Sequence, residues 1–129
     1  MANRYGEAAL IAANPEKNHP KASPLDRWNA ATRKLYPTSP TQQNKGGPRG
    51  AFLGLCEAGL VKGIAPGSYT NSKDNKQYAI RAVELLSSGT AERSVNALWR
   101  QVCDDEEKSH NSQMDVVLAL WKNKFINIP

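Results

Sequence analysis

Along this chain, apolar residues recur three and four positions apart, in stretches that open at Ser, Thr or Pro and close at Gly or before Pro. That spacing places them on one face of a helix, whereas a half-buried strand alternates every second residue. The pattern predicts an all-α fold: one compact domain spanning residues 1–129, built from about six helices and ending in an αα-hairpin.

The first helix runs from about Arg4 to Ala13, with Tyr5, Ala8, Ala9 and Ala12 on one face and Asn14-Pro15 as its stop. Ser23-Pro24 with Asp26 in the first turn opens the second. Leu25, Trp28, Thr32 and Leu35 mark its inner face, and Tyr36-Pro37 ends it. Residues 37–47, Pro-Thr-Ser-Pro-Thr-Gln-Gln-Asn-Lys-Gly-Gly, read as a polar, flexible internal loop. The third helix starts at Pro48 with Ala51, Phe52, Leu55 and Cys56 as its stripe and Gly59 at its end.

The fourth starts near Ser72, carries Ala79, Ala82, Val83 and Leu86 inward and closes at Gly89. The fifth starts at Thr90, with Val95, Leu98, Trp99 and Val102 inward. The sixth starts at Ser112, with Asp115 three residues on as a capping-box partner and Met114, Val117, Leu118, Trp121 and Phe125 as its core face. Val95–Gln101 and Val117–Asn123 share a Val-x-Ala-Leu-Trp pattern 22 residues apart. This spacing is short for a helical-hairpin repeat of ~34 residues. It fits two successive helices that each insert a Trp into a shared core.

At this length, folding buries roughly two-thirds of the surface of the extended chain, enough for a core without staples. Cys56 and Cys103 both fall in apolar helical patterns, as buried thiols do, and two cysteines make no disulfide framework. The longest apolar run, Val116 to Trp121, is far short of a ~20-residue membrane span. The N-terminal sequence lacks a secretory h-region, so a cytoplasmic location without membrane attachment is expected. The net charge is +5, contributed mainly by residues 1–76. Such an excess permits an acidic partner without requiring one.

The stretch from Lys45 to Gly54 asks most for a functional explanation. Glycines at 46, 47 and 50 surround a helix start flanked by Lys45 and Arg49. Unbonded amides, the positive end of the helix dipole and two cations suit a phosphate or carboxylate. The candidate anion-binding residues are therefore Lys45, Gly46, Gly47, Arg49 and Gly50. The segment is not a P-loop, which needs G-x-x-x-x-G-K-[ST] after a strand. The plainer reading has Gly46 and Gly47 turning the chain, while Gly50 and Gly54, four apart, let two helices approach closely.

Other features carry less. Glu107 and His110 have the E-x-x-H spacing of di-metal bundles, but there is no second copy, so a solvated acidic loop is the simpler reading. Cys56 lies late in its helix on the apolar face, which suits a structural thiol better than a nucleophile. Tyr69 and Tyr78 flank a basic segment where Lys73 and Lys76 could serve a ligand groove. No metal, cofactor or catalytic constellation is expected. Nucleic-acid binding is an alternative, through Lys73, Lys76 and Arg81 or through Arg93, Asn96 and Arg100, residue types that suit phosphates and base edges. The gap of about thirteen residues between the third and fourth helices is much longer than a helix-turn-helix turn.

From Pro48 to Ile64 and from Ser72 to Leu86 the chain resembles a group of small uncharacterised bacterial proteins, over most of its length. The resemblance implies a bacterial intracellular protein and supplies no activity or site residues. The expected function is a non-catalytic binding or protein-interaction module, with an anionic small molecule or protein as its partner. The alternatives are a nucleic-acid-binding protein and an enzyme with an unfamiliar site.

Overall fold

The computed structural model describes residues 3–90, 94–103 and 112–127. Among these, six helices have eight residues or more: α1 (Tyr5–Ala13), α2 (Pro24–Leu35), α4 (Gly46–Glu57), α5 (Lys73–Ser88), α6 (Val95–Val102) and α7 (Gln113–Lys122). A single turn, α3 (Pro40–Gln43), precedes α4, and a 3-10 turn (Pro15–Lys17) follows α1. No strand forms among the described residues. One isolated antiparallel bridge pairs Val61 with Ile126.

α4 lies at the centre. It is buried continuously from Gly50 to Cys56 and packs against α2, α5 and α7. A helix that is apolar on nearly every side belongs inside, where no face must meet water. α7 is also largely buried and contacts α1, α4, α5 and α6. α1 presents Ala8, Ala9, Ala12 and Ala13 to the core, and these small side chains let it sit close to α2 and α7. A row of rings joins three helices. Tyr5 stacks towards Trp28 at 6.5 Å, and Trp28 stacks on Phe52 at 5.3 Å. Across the molecule, Tyr78 meets Trp99 edge-on at 4.8 Å, fastening α6 to α5. Such aromatic pairs contribute about 0.5–1.5 kcal/mol beyond area burial.

Several expectations change in detail. On α2, Leu25 is 41% exposed, while Arg27, beside the expected inner residues, is buried to 8% exposure. The buried face therefore runs Pro24, Arg27, Trp28, Ala31, Thr32, Leu35. Residues 37–47 are not wholly irregular, because Ser39 caps α3 by accepting from the Gln42 amide. Tyr5 Oη donates to the Gln42 carbonyl at 2.8 Å, tying that turn to α1. The following helix starts at Gly46, two residues before Pro48, since Gly47 and Pro48 both fit a first turn.

α6 begins at Val95, not Thr90. Ser94 is its cap, with Oγ accepting from the Ala97 amide. Ser112 does not cap α7 with its side chain. Its φ of 65° turns the chain left-handed, and its Oγ accepts from Asn3. α7 ends at Lys122, leaving Phe125 in the bridged segment beyond it. α6 and α7 touch, as an αα-hairpin requires, and their connection lies outside the described residues. Trp99 is buried but Trp121 only half-buried, because α7 turns Met114, Val117, Leu118 and Leu120 inward instead. Gly59 and Gly89 take φ values of 78° and 77°, the left-handed conformation that closes a helix.

Candidate functional site

The start of α4 forms one wall of an open groove of about 470 Å³. Gly46, Arg49 and Gly50 face the segment Tyr69–Ser72 and Asn75 across it, with exposed Leu25 at the rim. Lys45 is the residue before the first helical turn and is exposed. Its side chain makes no cap, and neither Lys45 nor Gly47 lines the groove. The first amides of a helix have no acceptor within it. In α4 these include Gly46 and Gly47, and Pro48 has none to satisfy. Arg49 is half-buried, lines the groove, and has neither a hydrogen bond nor an ion pair among the described residues.

Packing accounts for part of the glycine pattern. A Cβ on Gly54 would lie 2.6 Å from the backbone of Lys76, and one on Gly50 would lie 2.8 Å from Asn75 Cβ. These two glycines thus set the close approach of α4 to the first turn of α5. A Cβ on Gly46 would meet nothing within 4 Å, so close packing does not explain that residue. Asn75 joins the helices here: its Nδ2 donates to Ser72 Oγ at 2.7 Å and, more weakly, to the Gly46 carbonyl at 3.4 Å. Its Oδ1 accepts from Gln113 of α7 at 2.9 Å.

The opposite wall is held by Glu57, which the sequence reading did not single out. One carboxylate oxygen accepts from the amides of Tyr69 and Thr70 at 2.7 and 3.3 Å. The other pairs with Lys76 Nζ at 2.6 Å. The Lys76 hydrogen bond first, then the two amides, hold this carboxyl at about 2, well below its ordinary 4.5. A lone acid at a helix end followed by a Pro-Gly loop was the only sequence signal for it.

The residues named for nucleic-acid binding are dispersed. Lys76 is engaged by Glu57. Lys73 and Arg81 share the exposed side of α5 with Asp74 and Glu84, so cations and carboxylates balance there. Asn96 and Arg100 are exposed on α6. Arg93, Glu107 and His110 lie outside the described residues. Cys56 and Cys103 are buried thiols. Burial pushes Cys56 up to about 12, so near neutral pH it is not the thiolate that attacks. Among the described residues no cluster of His, Cys, Asp or Glu could hold a metal. No helix there is long and apolar enough to cross a membrane.

A second groove, of about 280 Å³, opens between the start of α2 and residues 63–69. Arg27 lies in its wall, and Tyr69 lines both grooves. The sequence reading missed Arg27. Its one signal was spacing, three after Pro24 and four before Ala31, both buried.

No curated protein and no solved structure matches the chain. A family model covers residues 2–127, and the chain belongs to that family, a family of unknown function (DUF6979).

Proposed function

We propose that this chain is a non-catalytic binding module of the bacterial cytoplasm that receives an anionic group in the groove at the start of α4. The observation that carries the reading is Arg49: a half-buried guanidinium that lines an open groove and, among the described residues, pairs with no acid. A cation left unpaired by the described residues, next to unbonded amides at the positive end of a twelve-residue helix, favours an external anion. Thr70, Asn71 and Ser72 add hydroxyl and amide groups on the facing wall. Exposed Leu25 and the Tyr69 ring offer apolar surface for the rest of the bound molecule or partner.

A thermal-shift screen of phosphates, nucleotides and anionic metabolites, each against salt of equal ionic strength, tests this. The expected result is a higher melting temperature with at least one anion class, lost in Arg49→Ala. No shift beyond that of salt, or a shift that Arg49→Ala retains, overturns the α4 site.

A further inference from the structure

We infer that Arg27 anchors a second, separate site, a small pocket that takes the carboxylate of an apolar acid. Arg27 is 92% buried, by its 8% exposure. Among the described residues it has no acidic partner. Its only hydrogen bond among them is a long one, Nη1 to the Ala12 carbonyl at 3.5 Å, and its Nε is buried without an acceptor there. Nη2 has no partner and is not among the sealed atoms, which leaves that edge of the guanidinium to the pocket. A buried charge that is neither paired nor fully hydrogen-bonded opposes folding, so such groups are usually compensated. Among the described residues nothing compensates Arg27. Cys56 is close enough to feel the guanidinium, yet as a neutral thiol it supplies no counter-charge.

The pocket around Arg27 specifies the missing anion. Its walls are Pro20, Pro24, Ile64, Ala65 and the Tyr69 ring, and no carboxylate lines it. Tyr69 Oη is already committed to the Ala65 carbonyl at 2.6 Å, so that edge of the ring is not a spare donor. Ser23 Oγ accepts from the Asp26 amide, which leaves its hydroxyl proton to donate. Pro24 begins the twelve-residue helix α2, whose positive end faces the same space. Asp26, the nearest acid in sequence, is exposed and outside the lining.

One buried guanidinium matches one negative charge, and its planar fork suits a carboxylate. A phosphate dianion would need a second buried cation, and none lines this pocket. The volume of about 280 Å³ lies just below the range of roughly 300–1,000 Å³ for small-molecule sites. The occupant is therefore small, with an aliphatic or aromatic body against the prolines and Ile64.

An amide NMR titration of the full chain with sodium benzoate, against sodium chloride at equal ionic strength, tests the site. The expected result is saturable shifts at Ser23, Arg27 and residues 63–65, retained in Arg49→Ala. Arg27→Lys keeps the charge but loses the fork and should bind about tenfold more weakly, the loss of one charge-assisted hydrogen bond. Arg27→Met should abolish the shifts and melt at a higher temperature than the parent, because an uncompensated buried charge has gone. A structural arginine would instead lower the melting temperature when removed. No saturable shift up to roughly 10 mM benzoate, or binding undiminished in Arg27→Lys, overturns the inference. Tighter saturation by inorganic phosphate than by benzoate overturns the carboxylate assignment. An Arg27→Met chain that melts lower or fails to fold overturns the uncompensated charge, and the Arg27→Lys comparison separately decides the binding site.

Discussion

The two grooves that share Tyr69 hold their arginines in opposite ways. Arg49 stands half-buried in the first turn of α4, at a helix start rich in glycine. Arg27 is pressed almost wholly beneath the surface by the rotation of α2, behind proline and aliphatic walls. Water can screen the first charge and only graze the second. The larger groove, of about 470 Å³, suits a charged headgroup whose remainder stays in solvent. The smaller groove, of about 280 Å³, suits a small acid held at a buried guanidinium. The same residue type thus carries different chemistry according to how far its helix turns it inward.

The strongest way to break this contrast is to disturb the contact on which the first groove rests. Gly54→Val would place side-chain atoms within the backbone of Lys76 and force α4 from α5. It should cost about 3 kcal/mol of stability, read by urea denaturation. A loss within a few tenths would mean that the glycines serve something other than close packing.

A second test acts on the wall the two grooves have in common. Glu57 fixes the amides of Tyr69 and Thr70, and its folded value near 2 lies below the unfolded 4.5. Its stabilisation is therefore fully present above the unfolded value and fades as pH falls through 4.5 towards 2. Glu57→Gln should melt below the parent at neutral pH, and the gap should close on acidification through that window. A gap that stays constant across it would show that the carboxylate charge does not hold the wall.

The smallest effect sharpens the role of Gly46. With nothing within 4 Å of its Cβ position, Gly46→Ala should raise stability by about 0.5 kcal/mol, by restricting the unfolded chain. Loss of anion response in that variant, without loss of stability, would place the α4 ligand directly against this residue.

Much of the scaffold could be read in advance, for local reasons. Ser23-Pro24, Gly59 and Gly89 act within a turn of their own positions, so the boundaries they mark appear where local chemistry puts them. The glycine-rich entry to α4 was legible because its parts are contiguous. Where reading failed, the deciding partner was distant. Ser112 looks like a cap, yet its backbone turns left-handed and its hydroxyl meets Asn3, 109 residues away. Tyr5 reaches across to the Gln42 carbonyl and orders a turn within a stretch that reads as loop. Glu57 gains its role only when residues 69–76 fold back over the end of α4.

Local residue chemistry is enough to make this protein helical, to set about where its helices start and stop, and to make one helix start rich in glycine and positive charge. These follow from periodicity, capping and backbone freedom, which act between near neighbours. Which way α2 faces depends on contacts with distant parts of the chain. Leu25 and Arg27 are two residues apart and point in different directions, and apolar spacing alone favoured the leucine as the inward one. Packing of Trp28 between Tyr5 and Phe52 fixed the helix rotation instead. With that ring buried, Leu25 was left in solvent and the arginine was carried into the wall of a pocket.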